Sequence, residues 1–90
     1  MPMSGRTQPL GWTDKEVKVN KALAKAQDRL NRQKDHAAMM IQAGQPLVAV
    51  RAAKRLVYVF EMEVSHIYAG KSPASFDFAA AGAEARKWVR

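Results

Sequence analysis

The sequence predicts an all-α protein built on a long antiparallel helical hairpin with a shorter third helix. Two segments repeat apolar residues at alternating spacings of three and four, and a glycine follows each segment. The connection between them is very short, so the two helices pack antiparallel unless they belong to a domain-swapped dimer. We expect helices at about 13–43, 46–69 and 75–89, a disordered tail over 1–12, and a single domain over 13–90.

The first helix has a clear start signal. Thr13 is a favoured N-cap residue, and Glu16 three residues later completes a capping box. Trp12 is expected to pack on Val17 as a hydrophobic staple. Gly44 suits the left-handed position that ends a helix. The apolar seam between these ends comprises Val19, Leu23, Ala26, Leu30, Ala37 and Met40, with Gln33 in its one polar slot.

The second helix begins at Pro46, whose missing N–H costs nothing in a first turn, and Gly70 closes it. Its residues are also typical of strands, but the helical spacing holds over six positions. That seam comprises Val50, Ala53, Val57, Phe60, Val64 and Ile67. Ala49, Leu56 and Tyr68 widen it, which leaves apolar surface for a third helix to cover. Ser75 with Asp77 is expected to start that helix, whose packing face comprises Phe78, Ala81, Ala85 and Trp88.

The composition is strongly basic and contains no cysteine. Fifteen Lys and Arg against eight Asp and Glu give a net charge of +7, which favours nucleic acid, acidic proteins or anionic surfaces as partners. Without cysteine, neither disulfides nor thiolate metal sites are available, and a cytoplasmic location is expected. The N-terminal residues do not resemble a signal peptide, and charges interrupt the most apolar region, so we expect no membrane association.

A basic stripe on the first helix is the main candidate binding surface. Its members are Lys18, Lys21, Lys25, Arg29 and Arg32. They lie opposite Leu23 and Leu30, and such a face can follow a phosphate backbone. The alternative is an ordinary solvated face, whose field Asp14 and Asp28 weaken. A second cluster either extends the positive charge or forms local ion pairs, and it comprises Arg51, Lys54 and Arg55. Glu61 and Glu63 are expected near Arg29 or Lys25.

Three apolar side chains are candidate anchors for a partner. Met39 and Met40 lie at the hairpin tip, where thioethers form an adaptable contact surface or simply close the tip. Trp88 lies between cations, where it can stack on a base or fill a pocket, although its spacing from Phe78 is also typical of a core residue.

No pattern of catalytic or cofactor-binding residues is recognisable. His36 and His66 have no further ligands at metal-site spacing, so we expect no metal. The glycines fit no phosphate-binding loop, and the layout is not that of a helix-turn-helix. Glu61 and Glu63 point to different helix faces, and the adjacent Ser65 and His66 cannot face each other. We therefore expect no enzyme, cofactor or small-molecule substrate.

The sequence predicts a small binding protein. The first hypothesis is a nucleic-acid-associated accessory or regulatory factor that contacts DNA or RNA phosphates. The alternative is an adaptor or inhibitor, of the kind phages and plasmids carry, that docks on a larger acidic protein. A homodimer of two hairpins is a further hypothesis. An enzyme with an anionic substrate is less favoured, since it requires Arg51 or Arg55 inside a closed cavity.

Overall fold

A computed structural model describes Gly11 and residues 13–90. Within them the chain forms three α-helices and one short 3-10 turn. These are α1 (Asp14–Gln42), α2 (Leu47–Tyr68), the turn Pro73–Ser75 and α3 (Phe78–Trp88). The all-α class and the long hairpin with a shorter third helix are confirmed. The predicted tail and the Trp12 staple lie outside the described residues, apart from Gly11.

The predicted capping box fixes the start of α1. The Glu16 N–H donates to the Thr13 hydroxyl oxygen at 3.2 Å, and the Thr13 N–H donates to a Glu16 carboxylate oxygen at 3.4 Å. Two N–H groups that the first helical turn leaves without backbone partners are thereby satisfied, which stabilises a helix by about 1 kcal/mol. The position of α1 along the chain therefore follows from local chemistry alone.

The two long helices end in the same way, at a glycine with a positive φ angle. Gly44 has φ 68° and Gly70 has φ 87°. The Gly44 N–H donates to the Ile41 carbonyl, and the next N–H donates to the Met40 carbonyl, both at 3.1 Å. Gly70 and Lys71 repeat this pattern at the end of α2. Both ends are Schellman motifs, which require a left-handed residue that glycine adopts without strain.

The seam between α1 and α2 follows the predicted spacing. Ala26, Leu30 and Ala37 are buried on α1, and Val50, Ala53 and Ile67 are buried on α2. The other predicted seam residues are half-buried: Val19, Leu23, Gln33, Met40, Val57, Phe60 and Val64. The polar slot is satisfied across the seam, because the Gln33 amide donates to the Ala53 carbonyl at 3.1 Å.

The third helix begins later than predicted. Asp77, not Ser75, is its N-cap, and the Asp77 carboxylate accepts from the Ala80 N–H at 3.0 Å. Ser75 instead ends the 3-10 turn, where its hydroxyl donates to the Ser72 carbonyl at 2.7 Å. Both residues are good caps in sequence, but Ser75 is held in the turn by this bond and by His66.

The third helix packs on α2 on a different side from the one expected. Ala81 and Ala85 bury against Val59, with Tyr58 and Met62 at the edge of the same cluster. Leu56 and Tyr68, which were expected to widen the seam toward α3, are exposed. Phe78 is also exposed and packs edge-on against Phe76, with ring centroids 4.8 Å apart. Since α1 and α3 both pack on α2, α2 is the central helix.

The resulting molecule is long and flat. The described Cα atoms span 50 × 28 × 13 Å, with a radius of gyration of 16.2 Å. A compact chain of this size has a radius of about 12 Å. Five of the nine buried apolar residues in the described chain are alanines. Small side chains let the helices approach closely, but they leave a thin core.

The helix-terminating glycines provide a direct stability test. Replacing Gly44 by Ala places a Cβ at φ 68°, and we expect the free energy of unfolding to fall by about 1–2 kcal/mol. Gly82 lies inside α3 with open space around its Cβ position. Gly82→Ala should therefore raise stability by up to about 1 kcal/mol. Urea denaturation measures both changes, and equal effects at the two positions would contradict the account.

Candidate functional site

The outer face of α1 carries three freely exposed lysines from the predicted stripe. Lys18, Lys21 and Lys25 are exposed, and within the described chain they form no ion pair. They lie in the first half of α1, toward the end of the hairpin where α1 starts and α2 finishes. We call this the basal end, and the opposite end around Gly44 the tip.

Arg29, also predicted to belong to the stripe, forms an ion pair between the two long helices. Its guanidinium donates to a Glu63 carboxylate oxygen at 2.7 Å. Glu63 is only 4% exposed, whereas 45% of the Arg29 side chain is exposed. The expectation that Glu61 or Glu63 lies near Arg29 or Lys25 is confirmed for Glu63. Because a buried carboxylate needs a counter-charge, Arg29 is first of all a structural partner of α2.

The second carboxylate oxygen of Glu63, Oε1, is buried without a hydrogen-bond partner among the described residues. An unpaired acceptor of this kind costs about 1–3 kcal/mol. Arg29 therefore only partly offsets the cost of burying Glu63. This makes stability at the centre of the seam sensitive to any change in the pair.

The last cation of the stripe, Arg32, is also paired. Its Nε atom lies 3.0 Å from an Asp28 carboxylate oxygen one turn earlier, and both side chains are exposed. Such a surface pair contributes only about 0.3–0.5 kcal/mol, but it cancels charge locally. Of the five predicted cations, the three lysines therefore supply the uncompensated charge.

The second predicted cluster divides into three different environments. Lys54 is exposed. Arg55 is half-buried, and its Nε donates to the Val89 carbonyl at 2.9 Å, which ties the end of α3 to α2. Arg51 is half-buried, and its Nε has no partner among the described residues. Arg55 therefore supports α3, and the three cations do not share one exposed basic surface.

Two lysines that were not among the predicted site residues, Lys15 and Lys71, lie near the stripe at the basal end. Both line a cavity together with Lys18, and Lys71 follows the glycine that ends α2. An antiparallel hairpin brings the end of α2 back to the start of α1, so the sequence did contain this signal. We call the set the basal lysine patch, and it comprises Lys15, Lys18, Lys21, Lys25 and Lys71.

The tip of the hairpin is apolar and exposed. Met39 is 67% exposed and Val48 is 76% exposed, and Ile41 and Leu47 beside them are also exposed. Met40 is half-buried in the seam. Of the two predicted tip anchors, Met39 is therefore the accessible one. The exposed apolar surface extends beyond the predicted methionines, because Ile41 at the end of α1 and Leu47 and Val48 at the start of α2 also contribute.

Trp88 does not pack in the core. It is 69% exposed, and its indole N–H donates to the Glu84 carboxylate at 2.7 Å. The interpretation of Trp88 as a core residue is therefore wrong, because only Ala81 and Ala85 of α3 are buried against α2. Its role as an apolar anchor for a partner stays a prediction.

A serine and a histidine meet at the junction of α2 and α3. The His66 Nε2 lies 2.9 Å from the Ser75 hydroxyl oxygen and 3.0 Å from the Ser72 carbonyl oxygen. The Ser75 hydroxyl donates to that same carbonyl, so Nε2 must carry the hydrogen and donate. A donating nitrogen cannot take a proton from the serine. The contact therefore holds the turn between α2 and α3.

The described residues contain no group of three or more His, Cys, Asp or Glu side chains that could hold a metal ion. Over the same part of the chain, no helix is both long enough and apolar enough to cross a bilayer.

Removing one partner of the Arg29–Glu63 pair should destabilise the protein more than removing both. Arg29→Met leaves a buried carboxylate without its counter-charge, and we expect a loss of about 2 kcal/mol, discounted for the exposure of Arg29. The double variant Arg29→Met/Glu63→Met should recover most of that loss, since two apolar side chains suit the seam. Urea denaturation of the four proteins measures the coupling. A double variant as unstable as the sum of both single variants would contradict the pairing.

Comparison with known proteins assigns no family to this chain. No protein-family model matches it, and no curated protein or solved structure gives a significant match. The function must therefore be argued from the charges, exposure and contacts of the chain itself.

Proposed function

We propose that this protein is a non-enzymatic nucleic-acid-binding factor that contacts phosphates through the basal lysine patch. The observation that carries the proposal is the grouping of exposed lysines without ion pairs in the described chain: Lys15, Lys18, Lys21, Lys25 and Lys71. From Lys15 to Lys25 the helix rises about 15 Å. That length covers several phosphates of a strand, and each contact releases counterions.

The ion pairs of Arg29 and Arg32 support binding of low sequence specificity. Arg29 and Arg32 could read guanine by paired hydrogen bonds, but Glu63 and Asp28 occupy them. The exposed cations that remain on this face are lysines, which act as point charges. Contacts to phosphate position a protein on nucleic acid without identifying the bases. An accessory or regulatory role in the cytoplasm fits such binding, and the absence of cysteine agrees with that location.

The salt dependence of binding tests this proposal. Replacing Lys18, Lys21 and Lys25 by Gln should reduce the slope of log K against log salt by about 2–3, because each lost phosphate contact contributes about 0.9 on duplex DNA. Fluorescence anisotropy with a labelled duplex and a labelled RNA strand measures the slope. The matched control carries three Gln substitutions at Lys34, Lys54 and Arg86, which are exposed away from the patch. An equal reduction of the slope in both triple variants would show a general charge effect and contradict binding through the basal lysine patch.

A second candidate function rests on the exposed apolar tip. Met39, Ile41, Leu47 and Val48 form an exposed surface on a chain of charge +7, which suits docking on an acidic protein with an apolar pocket. Trp88 is a further anchor on α3. In this case the protein is an adaptor or inhibitor, and nucleic acid is not its partner.

A nuclease-treated pull-down distinguishes the two candidates. The adaptor hypothesis predicts that an acidic protein is captured after nuclease treatment and lost with Met39→Gln/Val48→Gln, because the apolar anchors are removed. Tyr68→Gln is the control, since Tyr68 is equally exposed at the other end of α2. Capture that disappears with nuclease treatment supports nucleic-acid binding and contradicts the adaptor.

The thin core also supports the proposal of a homodimer. Few large side chains are buried in the described chain, and the molecule is only 13 Å thick across its Cα atoms. Packing two flat hairpins together increases the buried apolar area, as in a four-helix bundle. Light scattering at micromolar concentration should then give twice the mass of one chain, and a stable monomer would contradict the dimer.

A further inference from the structure

The cavity at the basal end combines cations from two distant parts of the chain. It has a volume of about 220 Å³ and lies between the start of α1 and the segment after α2. Lys15 and Lys18 are one helical turn apart on α1. Lys71 is held in place because its N–H donates to the His66 carbonyl at 3.3 Å in the motif that ends α2. The cavity is therefore shaped by two defined helix ends.

Three lysines line this cavity, and no carboxylate residue is among its described lining residues. Its lining comprises Lys15, Lys18, Lys71, Ser72, Val19 and Pro73, with Gly70 between them. None of the three lysines forms an ion pair in the described part of the chain. Like charges grouped in this way repel one another, so an anion is the complementary ligand. Val19 and Pro73 contribute apolar atoms to the wall.

Two further features favour an oxyanion with several acceptor atoms. Lys15 is the second residue of α1, so the cavity lies beside the positive end of that helix dipole. Ser72, which also lines the cavity, has a side-chain hydroxyl that can donate a hydrogen bond. Ammonium groups donate several hydrogen bonds each, and phosphate oxygens accept such charge-assisted bonds strongly.

We propose that this cavity binds a phosphate monoester, such as the 5′-terminal phosphate of a nucleic-acid strand. A monoester carries about two negative charges and matches three lysines better than a singly charged diester does. A monoester also has a single substituent that must extend out of the cavity, whereas a backbone diester has two. As a terminal anchor the site rests on the nucleic-acid function proposed above. A phosphorylated small molecule offers the same chemistry.

The test compares strands that differ only in their end. A hexanucleotide with a 5′-phosphate should bind the full-length chain about ten-fold more tightly than the same strand with a 5′-hydroxyl, at constant ionic strength. In NMR spectra of the ¹⁵N-labelled protein, phenyl phosphate and the phosphorylated strand should shift the same two segments, residues 15–19 and 70–73. Equal affinities for the two strands, with a steep salt dependence, would overturn the terminal site and leave the nucleic-acid function intact.

Two matched double variants test whether the preference for a 5′-phosphate arises at this cavity. Lys15→Gln/Lys71→Gln should abolish the preference for the 5′-phosphate, whereas Lys34→Gln/Lys54→Gln should retain it, because those lysines lie toward the tip. Loss of the preference in both variants would overturn the site. Phenyl phosphate that shifts both segments while neither strand binds would support the site and overturn the nucleic-acid function.

Discussion

The antiparallel seam between α1 and α2 is the interaction on which the remaining structure depends. Three small residues, Ala26, Ala37 and Ala53, are buried in it, and their short side chains permit close packing of the two helices. The Schellman motif at Gly44 ends α1 at a defined residue, and the short connection that follows fixes the register of α2 against α1. Because the register is fixed, Arg29 lies opposite Glu63 and the end of α2 lies beside the first turns of α1.

This register separates charge and apolar surface along a molecule 50 Å long. The basal end carries lysines whose charge is not cancelled locally in the described chain, whereas the tip carries exposed Met39, Ile41, Leu47 and Val48. Arg29 belongs to neither surface, because it compensates a carboxylate in the seam. The two alternative modes of binding therefore use opposite ends of the hairpin.

Most of the hairpin could be predicted from the sequence because its signals are local. Helical spacing, the capping box and the glycines after each helix act over one or two turns. The start of α3 could not be predicted, since Ser75 and Asp77 are both good caps and a contact with His66 from another element keeps Ser75 in the turn. The exposure of Trp88 likewise depends on how α3 lies on α2.

The candidate site shows the same limit. Helical spacing alone identified Lys18, Lys21 and Lys25 as one exposed face. It does not identify Lys71 as a neighbour of Lys15 and Lys18, which follows only when the antiparallel course of the hairpin is also taken into account. The antiparallel hairpin predicted that Glu61 or Glu63 lies near Arg29 or Lys25, but it did not single out the Arg29–Glu63 pair or show that Glu63 is buried.

The central claim is that phosphates contact the basal end and not the whole basic surface. Lysine acetylation in the presence and absence of a saturating DNA duplex, read by mass spectrometry, tests this in the unmodified protein. The account predicts protection of Lys15, Lys18, Lys21, Lys25 and Lys71, with Lys34 and Lys54 acetylated as fast as in free protein. Uniform protection of all seven lysines, or protection of Lys34 and Lys54 alone, would contradict it.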